Sequence, residues 1–188
     1  MGITRKHSND PVHGTDCIVN CDEARHAEAI LAILNDAIVH STALYDYVPR
    51  PRSAMTAWFA EKQAGGHPVI GLEDSTGELL GFASYGPFRP RPANKYTMEH
   101  SVYVASAHRG KGLGRRLLKL IVAEAERRDI HTLIGGIDLG NAASIALHES
   151  LSFERAGVIR HAGFKFGRWL DLVFYQRLLS GPAHPVDG

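Results

Sequence analysis

Cysteine is nearly absent from this sequence: of 188 residues only Cys17 and Cys21 carry a thiol. Four positions apart, they would close too short a loop to staple a fold, so a disulfide framework is excluded and two free thiols are expected. Eleven histidines are present, but no second ligand pair stands at finger-like spacing, so no metal site is expected. Long apolar runs are missing too. Nothing approaches the roughly 18 apolar residues of a membrane-spanning helix, and the opening stretch MGITRKHSNDPVHGTD holds no apolar segment of the kind an export signal needs. A cytoplasmic protein with no membrane partner is the expectation. Charge of one sign is lacking as well. A net charge of +1 gives no field to draw the molecule onto nucleic acid, even with Arg115, Arg116 and Lys119 on one helix, so no nucleic-acid partner is expected. Internal repeats and an interdomain linker are also missing.

What is present reads as one ordinary domain, with 44% hydrophobic and 22% charged residues. Residues 1–15 are polar and aperiodic and read as a disordered extension, residues 16–179 as the domain, and residues 180–188 as a flexible tail. A short strand is expected at Cys17–Asn20. Asp22 then caps a helix whose apolar stripe runs through Ala27, Ile30, Leu31, Leu34 and Ile38. Ser53 is read as the cap of a second helix. Val69–Glu73 and Leu79–Tyr85 form a hairpin through Asp74–Gly77, and a proline-rich, basic loop, Gly86–Tyr96, leads to a fourth strand at Thr97–Val104. After a long helix come a strand at His131–Ile137, a short helix at Asn141–Leu151, and strands near Ala156–His161 and Trp169–Leu178. The order is mixed α/β.

Between the fourth strand and the long helix lies Arg109-Gly110-Lys111-Gly112-Leu113-Gly114-Arg115, with glycine at alternate positions. A helix N-terminus leaves backbone N–H groups unpaired, and glycine lets the backbone approach an anion without a Cβ in the way. The pattern suits a diphosphate, with Arg109, Lys111, Arg115 and Arg116 as added cations. It is not a Walker A loop, and the Rossmann spacing is only loosely approached without the acidic ribose reader. The bland reading is a tight strand-to-helix turn with solvated basic residues.

These residues resemble the GNAT acetyltransferases, whose [QR]xxGx[GA] signature is matched by Arg109, Gly112 and Gly114. The segment from Asn141 to Phe153 is similar to the second GNAT signature, NxxAxxLYxxxGF, with His148 at the usual tyrosine and Ser152 at the usual glycine. The strings ASYGPFRPRP, MEHSVYV and GFKFGRWLDLVFYQ resemble the phosphinothricin and methionine sulfoximine N-acetyltransferase branch, over about residues 17–178. The resemblance implies an α/β GNAT fold: a twisted, mostly antiparallel mixed sheet flanked by helices and splayed between its fourth and fifth strands. It also implies acetyl-coenzyme A as co-substrate and a homodimer. By the same carry-over, Val102, Tyr103 and Val104 flank the acetyl and pantetheine groups, the amides of Gly110 to Arg115 hold the pyrophosphate, and Asn141 and Ser144 line the opposite wall. Glu99 is the implied general base.

Chemistry asks for such a base, because an α-amino group with a pKa of about 7.7–8.0 is largely protonated at neutral pH. Burial would raise Glu99 toward that range. Strand alternation puts Glu99 and His100 on opposite faces, so one or the other is expected in the cleft, not both. His148 is the candidate proton donor to the leaving thiolate, against the alternative of a helix-surface residue. Arg89 and Arg91 could clamp a carboxylate or phosphinate, with Asn94, Lys95 and Thr97 as secondary candidates and a solvated loop as the alternative. Tyr85, Phe88 and Tyr96 could shape a pocket. The small-molecule acceptor competes at this stage with a protein N-terminus or lysine, and with acyl-coenzyme A binding without turnover.

Overall fold

The computed structural model describes residues 16–187, so the extension expected at 1–15 lies outside the described residues. Local signals start the first elements. Strand β1 is Cys17–Asn20; Asp22 then caps helix α1, Glu23–His40, by accepting the Arg25 N–H at 2.8 Å. Ala27, Ile30, Leu31, Leu34 and Ile38 form the expected buried stripe. Helix α2, Ser53–Ala64, departs in one detail, because Ser53 is its first helical residue and no side chain caps it. Pro51 gives the reason: its carbonyl already accepts the Ala54 N–H at 3.0 Å, so the turn begins earlier.

Strands β2, Val69–Glu73, and β3, Leu79–Pro87, pair antiparallel, and β4, Thr97–Val104, pairs antiparallel with β3. Helix α3, Leu113–Arg127, strand β5, Thr132–Asp138, and helix α4, Ala142–Glu149, follow. The last hairpin, β6 at Glu154–Lys165 and β7 at Arg168–Leu178, is longer than its pattern suggests. Phe166 and Gly167 both take positive φ and close it as a two-residue turn, without the Asn-Gly signal that usually marks one. Beyond β7, Leu179 is buried, His131 Nδ1 donates to the Gly181 carbonyl at 2.9 Å, and the Val186 N–H donates to Tyr96 Oη at 3.2 Å.

The seven strands form one sheet in the order β1-β2-β3-β4-β5-β7-β6. Among the described residues only β4 and β5 are parallel neighbours, and their pairing stops at Glu99 opposite Ile134, although the strands run on to Val104 and Asp138. The sheet therefore parts at Glu99. Helices α1 and α2 cover one face with a core of Ile30, Leu34, Met55 and Phe82, while α3 packs Leu117, Leu118 and Ile121 on the other. Each fully buried leucine or isoleucine contributes about 1.5–3 kcal/mol. That stripe fixes α3 rigidly, and with it the turn at its N-terminus. Among the described residues no helix is long and apolar enough to cross a membrane.

Candidate active site

The glycine turn owes its shape to backbone angles. Gly110 and Gly112 have φ of 78° and 79°, in the region that L residues avoid, and a Cβ on either would meet nothing within 4 Å. Gly112 precedes α3, and no side chain caps that helix, so its first-turn amides stay available to a ligand. They border a cleft of about 370 Å³. Val102, Tyr103 and Val104 line one side of it, and Asn141 and Ser144 the other. Arg109, Gly110, Gly112, Leu113 and Gly114 close its end. Asn141 caps α4 by accepting the Ser144 N–H at 3.1 Å, which ties those two residues together.

The cations of the turn are mostly engaged elsewhere. Arg109 donates to the Val104 carbonyl and to Asp36, each at 3.2 Å. Arg115 donates to Ser150 Oγ at 2.5 Å, Lys111 Nζ lies 3.4 Å from His108 Nδ1, and neither lines the cleft. Arg116 turns to Asp16. What the turn offers an anion is chiefly its main chain. A diphosphate fits that offer, since open space stands over two glycines at a helix start.

A second cavity of about 320 Å³ adjoins the first and shares Val102, Tyr103, Asn141 and Ser144 with it. Both Glu99 and His100 line it, which corrects the expectation that only one would. Their side chains do leave opposite faces of β4, but the strands have parted there and both faces open into one space. Two adjacent glycines of β5 make the room. A Cβ on Gly136 would sit 2.9 Å from Glu99 Oε1, and one on Gly135 would sit 2.8 Å from His148 Nε2 and 2.9 Å from His100 Nε2.

The two carboxylate and imidazole environments differ. Glu99 is half-buried, and burial alone pushes its carboxyl above the usual range. His100 is buried, and desolvation, with His148 beside it, pushes its pKa down to about 3. His148 is lowered too, by desolvation against a smaller opposing effect of its bond to Ser144. Its Nδ1 donates to the Ser144 carbonyl at 2.7 Å, so its Nε2 is bare and accepts from His100 Nε2 at 3.2 Å. The rings stack with centroids 5.0 Å apart. In this arrangement His148 has no free proton to give a thiolate.

A roof that the sequence did not reveal closes the cavity: Thr42, Ala43, Leu44 and Tyr45, from the segment after α1. The β6–β7 hairpin holds it down. Lys165 is buried and donates through Nζ to the carbonyls of Ile38, Ser41 and Leu44 at 2.6, 2.9 and 2.7 Å. Tyr47 Oη donates to the Phe164 carbonyl at 2.6 Å, and the Tyr45 ring lies where a Cβ on Gly163 would be, 2.7 Å away.

Arg89, Arg91, Asn94, Lys95 and Thr97 do not line either cavity. Arg89 lies over the Phe88 ring at 5.9 Å, Phe88 meets Phe174 edge-on at 5.8 Å, and Phe174 reaches within 3.5 Å of the space beside Gly136. The loop thus borders the Glu99 side through two aromatic rings. Thr97 begins β4 on the Glu99 face, and Lys95 lies 5.2 Å over Tyr96. Tyr85 is buried in the core behind the sheet, and neither it nor Tyr96 shapes the cleft.

A family model described as the acetyltransferase (GNAT) family matches residues 32–153, spanning β4, the glycine turn and α4. The chain belongs to the GNAT family. A GNAT relative, the L-methionine sulfoximine/L-methionine sulfone acetyltransferase of Pseudomonas aeruginosa, is 46% identical over 147 residues, covering 78% of this chain and 86% of that protein. A solved structure from Acinetobacter baylyi aligns with a TM-score of 0.92 at 50% identity, covering 95% of this chain and 100% of the other. The GNAT phosphinothricin acetyltransferase of Sinorhizobium meliloti, solved in complex with acetyl-CoA, aligns with a TM-score of 0.86 at 32% identity, covering 91% and 92%. The splayed β4–β5 pair is thus set within a GNAT fold, a mixed seven-stranded sheet flanked by helices.

Proposed function

We propose that this GNAT chain transfers the acetyl group of acetyl-CoA to the α-amino group of a small amino acid of the methionine sulfoximine, methionine sulfone or phosphinothricin type. One observation carries the reading: a half-buried carboxylate without a charged partner among the described residues, Glu99, sits where the sheet parts, in a cavity continuous with the glycine turn. The names of the relatives supply the acceptor class.

In this reading acetyl-CoA supplies an activated thioester, and the amides of the glycine turn and the start of α3, from Gly110 to Arg115, hold its diphosphate. Past the point where β5 pairs, the N–H groups of Val102 and Val104 face the cleft, while alternation gives that of Tyr103 to β3. An amide aimed at the oxygen that gains charge is worth about 3–4 kcal/mol in comparable sites. Asn141 and Ser144 form the facing wall. Glu99 takes the proton of the attacking amine, directly or through one water, and its raised pKa brings it closer to the amine's. A thiol's ordinary pKa of about 8.5 makes the thiolate a leaving group that water can protonate, so His148 serves to orient Ser144 and α4.

Arg89 and Arg91 suit the acceptor's carboxylate or phosphinate, with Asn94, Lys95 and Thr97 behind them, once the loop folds over the Phe88–Phe174 pair. A homodimer in the cytoplasm completes the reading. Its support is the exposed cluster of Phe164, Phe166 and Trp169, at 46%, 58% and 58% exposure, an apolar face of the kind association covers. Thiol release from acetyl-CoA, measured with the three acceptors and with ordinary amino acids and peptides, tests the function. The expected result is turnover with at least one of the three acceptors and none with peptides; turnover confined to peptides overturns it.

A further inference from the structure

Three polar atoms at the acceptor end of the cleft lack any hydrogen-bond partner among the described residues, His100 Nδ1, Asp138 Oδ2 and Tyr45 Oη, and the acetyl-transfer reading gives the last two no role. Asp138 is only 4% exposed; its Oδ1 accepts the Gly140 N–H at 2.8 Å, while its Oδ2 is buried and unpaired. Tyr45 Oη is likewise buried and unpaired. Both residues line the cavity that holds Glu99. They are electrostatic neighbours: burial raises the Tyr45 phenol most, and the Asp138 charge raises it further. A buried carboxylate oxygen without a donor is costly, and nearly all such groups in folded proteins find a partner. A ligand that supplies the missing donor is favoured in proportion.

Position tells which part of an acceptor arrives there. Alternation along β5 puts Gly136 and Asp138 on one face, and Gly136 is the glycine that makes room for Glu99. Glu99 and Asp138 therefore flank Gly136 on the same side of the sheet. With the amine at Glu99, the acceptor's own carboxylate is repelled by Asp138, and the acetyl-transfer reading assigns it to Arg89 and Arg91 once their loop folds over. The side-chain head is what remains to meet Asp138 and Tyr45. The pair is preorganised, because Tyr45 rests on Gly163 and Lys165 pins the segment that carries it.

We propose that Asp138 and Tyr45 read the polar head of the acceptor side chain, Asp138 Oδ2 accepting an N–H and Tyr45 Oη donating to an oxygen. This rests on the acetyl-transfer reading. A sulfoximine carries one N–H and one oxygen on sulfur and satisfies both partners. A sulfone carries two oxygens and leaves Asp138 facing a lone pair, and a phosphinate brings a negative charge against it. The order of preference is sulfoximine, then sulfone, then phosphinothricin.

The experiment is thiol release by the full chain and by its Asp138→Asn and Tyr45→Phe variants with L-methionine sulfoximine and L-methionine sulfone, alongside calorimetric affinity for acetyl-CoA. Asn keeps an oxygen for Gly140 and offers the head an N–H₂ instead of an acceptor. The ratio of kcat/KM for sulfoximine over sulfone is expected to fall about tenfold or more in Asp138→Asn, with acetyl-CoA affinity held. Tyr45→Phe keeps the ring against Gly163, and KM for both acceptors is expected to rise about fivefold with kcat held. An unchanged ratio in Asp138→Asn, or a Tyr45→Phe variant that loses kcat at constant KM, overturns the assignment. Should Asp138→Asn fail to fold, the split between KM and kcat in Tyr45→Phe decides. If the parent chain turns over neither acceptor, the acceptor class falls and the pair with it; turnover with an unmoved ratio sinks the pair alone.

Discussion

The two ends of the cleft are built from different material. At the cofactor end the useful groups are main-chain amides, shaped by Gly110 and Gly112, and most neighbouring cations are tied to other residues. At the acceptor end they are side chains, Glu99, His100, His148, Asp138 and Tyr45, drawn from four separate stretches of chain. A diphosphate is common to every reaction that uses the carrier, so a fixed backbone device serves it. An acceptor differs from enzyme to enzyme, and side chains can be exchanged without rebuilding the sheet.

The contrast can be broken most forcefully at Glu99. Glu99→Gln is expected to lower kcat by about 10²–10⁴-fold and to remove the acid limb of the pH–rate profile, while calorimetry shows acetyl-CoA affinity unchanged. A profile identical to the parent's would show that the acceptor end does not hold the base.

A smaller effect comes from the histidine pair. Both rings have pKa values below that of a histidine in the unfolded chain, about 6.5, so they stay neutral in the fold while the unfolded chain takes up protons. Stability is therefore full above pH 6.5 and declines as pH falls toward 3, by roughly 2 kcal/mol for His100 alone between pH 7 and pH 5. Urea melts of the parent and of His100→Gln at those two pH values check this; the variant is expected to show the shallower decline, and equal declines would place the protons elsewhere.

The gentlest probe sharpens the cofactor end. Gly112→Val forces a branched residue to φ near 79° where space is open, so the penalty is conformational, and acetyl-CoA affinity is expected to drop about tenfold by titration. An unaltered affinity would mean the turn is not the diphosphate site.

Legibility followed the same division. The glycine turn, the α1 stripe, the long helix after the turn, β2 to β5 and the short helix from Asn141 were readable because each is a short-range pattern with a short-range cause. Glu99 was readable through resemblance and amine chemistry. The roof at residues 42–45 was not, because its place depends on Lys165, more than a hundred positions downstream, and no periodicity links the two. Asp138 escaped notice because an aspartate before a turn reads as a turn former. One overlooked signal was local: Gly135 and Gly136 inside a strand mark a close approach on each face, and His148 and Glu99 are what approach. The loop at Arg89 and Arg91 was picked out by charge, which says nothing of which way a guanidinium turns.

The ammonium of Lys165 ends a helix and latches a ceiling at once. A peptide bond cut in the β6–β7 hairpin would free a ceiling that spans both cavities, since Ser41 and Ala43 border the one beside the glycine turn as well. Changes near residues 163–165 are thus a route by which one distant side chain could retune both ends of the channel together.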